Sequence, residues 1–163
     1  MNINKPLFIL IVLISLMVIG RLSADSPFHT KIIISSDYLS TIGYGGERRN
    51  GVHEGLDCYA ENYYPVIRPI ADGVVTRIGI DSIYGKYVEI KHEDERGEYY
   101  SFYAHGKLIY YSASGIVNVN TPLMIMGSTG YSDSPHLHIS IYRYIDNVKV
   151  YEDPKLYIGE EWY

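Results

Sequence analysis

The chain has 163 residues, enough for one domain and little more. With 20% charged and 47% hydrophobic residues, its composition is that of a globular protein and excludes disordered and collagen-like classes. The formal charge of −5 leaves no basic surplus to neutralise phosphates, so nucleic acid is not an expected partner.

Residues 1–24 read as an export signal. Lys5 precedes the 14-residue apolar run Leu7 to Gly20. A secretory apolar core takes about 7–15 residues, whereas a membrane-spanning helix needs about 20. Arg21-Leu22-Ser23-Ala24 offers a cleavage site after Ala24, although Leu22 is a poor third-from-last residue. An uncleaved N-terminal anchor is the alternative, and only then is a membrane an expected partner. No cysteine lies near the cleavage region, which argues against a lipoprotein. Removing residues 1–24 deletes Lys5 and Arg21 but no acid, leaving 12 basic against 19 acidic residues and a charge of −7. The only cysteine, Cys58, cannot form an internal disulfide and is expected to be buried and inert.

Residues 25–42 look like a lead-in with one apolar run, Ile32-Ile33-Ile34. Gly43 to Gly51 holds four glycines and two arginines around Tyr44, a loop composition. From Val66 the pattern is strand, turn, strand: Val66 to Ile70, the turn Ala71-Asp72-Gly73, then Val74 to Ile78. Tyr87 to His92 alternates, with Val88, Ile90 and His92 on one face. Glu93 to Gly97 is a polar hairpin turn and Glu98 to His105 the returning strand. Leu123 to Met126 is a short apolar strand, and Pro135 to Tyr144 alternates again. No stretch after residue 24 carries a helical period with caps, so the fold class is all-β.

The placement of the six histidines is informative. His136 and His138 share a strand face while Leu137 and Ile139 point into the core. Such a pair can reach one small site, or can be two exposed imidazoles on a solvated face. His53 and Asp57 stand four apart, and Gly55 between them favours a turn over a helix. A turn can fold both side chains onto one ion, but a surface histidine beside a turn aspartate fits the same residues. His105 closes its strand on the face of Tyr103 and Ser101, and His29 and His92 read as solvated and functionless. Zinc chemistry would unite the rest. A catalytic zinc takes three protein ligands and leaves a fourth position for water, whose pKa falls toward neutrality. Further imidazoles can relay protons and stabilise an oxyanion.

With these residues in hand, the sequence closely resembles the lysostaphin-like zinc metalloendopeptidases, peptidoglycan hydrolases built on the duplicated hybrid motif. Four blocks from Gly43 to Ile141 carry the likeness. They are Gly43-Tyr44-Gly45 with His53-Glu54-Gly55-Leu56-Asp57; Pro65-Val66-Ile67 with Ala71-Asp72-Gly73-Val74-Val75; Tyr87 to His92 with Tyr103-Ala104-His105; and Met126 to Gly130 with Pro135-His136-Leu137-His138. The resemblance implies His53, Asp57 and His138 as ligands of one zinc ion per chain, and His105 and His136 as catalytic histidines. It also implies an antiparallel, barrel-sandwich hybrid fold with the metal on the floor of a groove, and a peptidoglycan peptide as substrate. Gly106-Lys107-Leu108 departs from the usual turn after the Ala-His pair, Cys58 stands where an aromatic is common, and the segment between Gly45 and His53 is short. Five tyrosines, Tyr44, Tyr59, Tyr63, Tyr64 and Tyr131, are placed in loops near the groove or, alternatively, are half-buried strand residues.

The resulting division is a signal segment at 1–24, a lead-in at 25–42, the peptidase domain at 43–145 and a C-terminal extension at 146–163. A monomer, exported to the periplasm or the cell wall, is expected, and acidity favours the periplasm. The competing reading is a catalytically inactive, peptidoglycan-bound regulator of other hydrolases, which would typically have lost a metal ligand. This chain keeps all five site residues. A phosphoryl carrier on a related β fold is disfavoured by the export signal.

Overall fold

The computed structural model describes residues 26–43, 46–47, 51–61, 64–110 and 115–163. The expected export segment, Tyr44, Gly45 and Tyr63 lie outside the described residues.

Thirteen strands and two 3₁₀ turns make up the regular structure of the described residues, with no α-helix among them. The strands are β1 (Ile32–Ser36), β2 (Ile42–Gly43), β3 (Gly46–Glu47), β4 (Leu56–Ala60), β5 (Val66–Ile67), β6 (Gly73–Asp81) and β7 (Gly85–Asp94). They continue with β8 (Gly97–Gly106), β9 (Leu108–Ile109), β10 (Ile116–Val117), β11 (Met124–Ile125), β12 (Leu137–Ile145) and β13 (Val148–Glu152). Pro154–Leu156 and Glu160–Trp162 are the 3₁₀ turns. Pairing is antiparallel throughout. The main sheet runs β1-β4-β12-β8-β7-β6-β10, with β13 taking over from β4 beside the later half of β12. A small sheet, β5-β11-β9, packs as a second layer.

Side-chain alternation explains the layering. Leu56, Cys58, Val88, Ile90, Tyr103, Leu137, Ile139 and Ile141 leave one face of the main sheet and form the core with Ile67, Leu123 and Met124 of the second layer. The opposite face carries Ala104, Phe102 and Tyr142, lined by Tyr84, Tyr87, Tyr100 and Tyr151. Phe102, Ala104 and Tyr142 are buried beneath these half-buried tyrosines, and the functional residues share this second face. Cys58 is fully buried, and burial pushes its thiol above the usual range, so it is inert as expected.

Two segments join the sheet from beyond the expected 43–145 limits. Ile32 to Ile34 of the lead-in pair with Ala60 to Cys58, and Val148 to Glu152 pair with Ile145 to Ile141. The expected run Val66 to Ile78 is divided between layers, because β5 pairs with β11 and β6 with β7.

Candidate metal centre

Register brings the metal candidates together across 85 residues of chain separation. His138 pairs with Asp57 on β4 and with Ala104 on β8, so Asp57 and His138 stand side by side on the open face. His53 lies just before β4, in a segment held by backbone bonds in which Leu39 donates to His53 and His53 donates to Ser40. Three ligand atoms then converge: His138 Nδ1 is 2.8 Å from Asp57 Oδ1, and His53 Nε2 is 3.0 Å from both.

Gly55 makes this convergence possible. A Cβ there would come 2.6 Å from His138 Cε1 and 2.7 Å from the Ile139 carbonyl oxygen. The glycine therefore serves close approach of the imidazole, in addition to the turn that its position indicates.

The protons of both imidazoles are engaged on their outer sides. His53 Nδ1 donates to the Asp37 carbonyl at 2.9 Å, which turns the Nε2 lone pair inward. His138 Nε2 lies 2.9 Å from the Ser140 hydroxyl, which can accept its proton and so leave the Nδ1 lone pair facing inward, the arrangement that binding through Nδ1 requires. Burial is the largest influence on His138 and holds it below its usual pKa, against the pull of Asp57. For Asp57, burial works toward protonation, but contact with His138 and His53 prevails and keeps the carboxyl below the usual range. With the ring protons on those outer sides, two imidazole nitrogens and a carboxylate oxygen face one another within 3.0 Å. Such a cluster of acceptors, partly buried, calls for a cation. His53, Asp57 and His138 fit a metal ion by donor type and by convergence.

His105 and His136 complete the group. Their rings are 4.7 Å apart, and His105 lies 6.1 Å from the His138 ring, centroid to centroid. His105 Nδ1 donates to the Thr129 carbonyl at 2.8 Å, and His136 Nδ1 to that of Ser134 at 2.8 Å. The backbone contact at Nδ1 fixes each ring, and His136 Nε2 is 3.9 Å from Asp57 Oδ1. Burial lowers the pKa of His105 to about 4, so it is neutral at physiological pH.

One expectation about His105 is corrected. By strict alternation it would follow Ser101 and Tyr103 into the core. Instead Lys86 pairs with Gly106 while Val88 pairs with Tyr103, which sets one residue on β7, Tyr87, against two on β8, Ala104 and His105. This is a β-bulge at Ala104–His105, and His105 has φ +63°. The bulge re-aims the imidazole from the core face to the metal face. A second correction concerns His29 and His92. Both lie outside the site, but His92 is buried, donating from Nδ1 to the Asp72 carbonyl and accepting from Ser101. His29 donates to the Val119 carbonyl at 2.6 Å. Among the tyrosines, Tyr59 lies in β4 and Tyr131 is 81% exposed, whereas Tyr84 stands 6.0 Å from the His138 ring. Tyr84 carried no signal beyond its place before Gly85. Ser140 was legible as the next residue on the His138 face.

The family model for Peptidase family M23 matches residues 51–151, which include all five residues of this group. The chain belongs to peptidase family M23. Among relatives of this M23 protein, an uncharacterized metalloprotease of Buchnera aphidicola is 29% identical over 116 residues, 71% of this chain and 30% of that protein. The DD-carboxypeptidase/endopeptidase Mpg of Neisseria gonorrhoeae is 38% identical over 87 residues, 53% of this chain and 19% of that protein. The chain therefore spans less than a third of the length of either relative. The catalytic domain of the antimicrobial peptidase lysostaphin from Staphylococcus simulans shares the fold, with a TM-score of 0.62 at 21% identity, covering 77% of this chain and 90% of that one.

Proposed function

We infer that this M23 chain is a zinc endopeptidase that hydrolyses peptide bonds in the cross-links or stem peptides of bacterial peptidoglycan. The observation that carries the reading is the convergence of three ligand atoms within 3.0 Å, with the His136 Nε2 3.9 Å from Asp57 and the His105 ring 6.1 Å from that of His138. His53 Nε2, Asp57 Oδ1 and His138 Nδ1 would hold one zinc ion. Zinc bound there would supply Lewis-acid chemistry, lowering the pKa of a water and polarising a peptide carbonyl. The chain's own residues do the rest. His105 and His136 each present an Nε2 acceptor, fixed by a backbone carbonyl behind the ring, so one can take a proton and the other stabilise developing negative charge. The half-buried tyrosines Tyr84, Tyr87, Tyr100 and Tyr151 beside the site offer aromatic surface to a bound peptide.

The relatives' names support a peptidase acting on peptidoglycan, as in the Neisseria DD-carboxypeptidase/endopeptidase. Export to the periplasm, with cleavage after Ala24, completes the proposal, supported by the apolar run Leu7 to Gly20. A regulator without catalysis would have no use for five intact site residues. Mass spectrometry of fragments released from purified peptidoglycan tests the reading. Zinc-dependent release of peptide fragments is expected, and a chelator should abolish it. Intact peptidoglycan after incubation with the zinc-loaded protein would refute it.

A further inference from the structure

Beyond the metal, the open face holds a pocket of about 120 Å³. At about 30 Å³ per water, it has room for a short polar side chain. Its position follows from alternation along β12, where His138, Ser140 and Tyr142 share the face. Ser140 touches His138 on one side and lines the pocket on the other. The floor and walls are aromatic, including Tyr87, Phe102, Tyr142 and Tyr151.

The two cations and two carboxylates at this pocket balance in number but are not evenly paired. Arg77 and Glu89 are paired at 2.7 Å, and Glu89 also accepts from Thr76 and Tyr142, so its acceptor capacity is taken up within the protein. Asp81 is engaged by the backbone N–H groups of Ile83 and Tyr84. Lys149 is different. Its ammonium sits 3.7 Å from the Tyr142 ring centroid and 5.0 Å from that of Tyr151, and no carboxylate among the described residues lies within ion-pair distance of it. Glu89 and Glu54 act on it only at longer range. An ammonium held over aromatic faces and donating to the Tyr151 hydroxyl at 3.3 Å, in a pocket that the Arg77 guanidinium also lines, matches a carboxylate.

We propose that this pocket is a substrate subsite for a free carboxylate of the peptide, with Lys149 as the specificity-determining residue. This rests on the peptidase reading above. His138 to Tyr142 spans about 13 Å of strand, and an extended peptide advances about 3.3–3.6 Å per residue. The carboxylate therefore lies two to four residues from the bond cut, and a neutral peptide bridge lacks the group that the pocket binds.

The test compares native cross-linked muropeptides with the same molecules whose carboxylates are converted to methylamides. Zinc-loaded wild-type protein should prefer the native form by roughly 10- to 100-fold in kcat/KM, mainly through KM, as a charged hydrogen bond is worth. Lys149→Met keeps the stem over the rings and should bring that ratio to within about threefold, and Lys149→Arg should restore most of it. Calorimetry with uncross-linked stem peptides, native and methylamidated, reads the subsite without turnover. Equal ratios in wild type and Lys149→Met, or no preference in wild type, would overturn the subsite while leaving peptidoglycan cleavage intact. Lys149-dependent binding of native stem peptides without any cleavage would uphold the subsite and overturn the peptidase reading.

Discussion

Replacing Gly55 by alanine tests whether close packing of His138 holds the metal site together. The added Cβ would lie 2.6 Å from His138 Cε1, 2.8 Å from His138 Nε2 and 2.7 Å from the Ile139 carbonyl oxygen. Comfortable contacts lie near 3.5–4.0 Å, so the overlap is about 1 Å. The Ile139 carbonyl cannot retreat cheaply, because Ile139 is paired with Leu56 on one side and Tyr103 on the other. The imidazole must move instead, away from Ser140 and out of register with Asp57 and His53. Overpacking costs about 1–3 kcal/mol, which lowers the melting temperature by roughly 2–12 °C for a chain of this size. Ligand distances tolerate only about 0.2 Å, so zinc affinity should fall at least about 10–100-fold, as when an orienting partner is lost. Competition with a chromophoric chelator measures the affinity, and melts with and without zinc separate the steric cost from the lost metal contribution. Gly51→Ala is the control: its φ is +92° and its Cβ would meet nothing within 4 Å, so it strains the backbone near His53 without touching His138. Wild-type zinc affinity in Gly55→Ala would refute the argument.

Four further outcomes are expected. His138→Ala should lose most bound zinc, since two ligands make a poor site, and elemental analysis showing equal zinc in mutant and wild type would exclude the assignment. His105→Ala and His136→Ala should each lower turnover by roughly 10²–10⁴ while zinc content stays near wild type, checked on one preparation; joint loss of zinc and activity at His105 would make it a ligand. His92, buried with its pKa lowered from 6.5 to about 4, favours the folded state fully above pH 6.5, and that contribution is lost as pH falls toward 4. At 1.36 kcal/mol per pKa step this is about 3 kcal/mol, and denaturant unfolding from pH 7 to 4 should give a shallower slope for His92→Gln than for wild type. N-terminal sequencing of the extracytoplasmic protein should begin at or near Asp25, whereas an intact Met1 on membrane-bound material would decide for the anchor.

Much of the molecule is legible in local pattern. Alternation alone reveals the β7–β8 hairpin, the inward direction of Leu137 and Ile139, and an all-β class, because a side-chain period of two is written into every half-buried strand. The resemblance carried by the four motif blocks, more than any spacing taken alone, names His53, Asp57 and His138 as the metal candidates. Pairing decides the rest. His105 reaches the metal face only through a bulge between β7 and β8, and a bulge is a mismatch between two strands that neither strand encodes alone. The Asp37 carbonyl that orients His53 comes from the lead-in, and backbone groups leave no residue signature. His92 looked solvated beside a charged turn, yet Asp72, Tyr99 and Ser101 enclose it. Lys149 seemed to belong to a trailing extension until β13 laid it against Tyr142 of β12. Residue type and short-range period thus establish which groups are available for chemistry. Which of them meet, and in which protonation state, is set by long-range register and burial, which exist only once the sheet has formed.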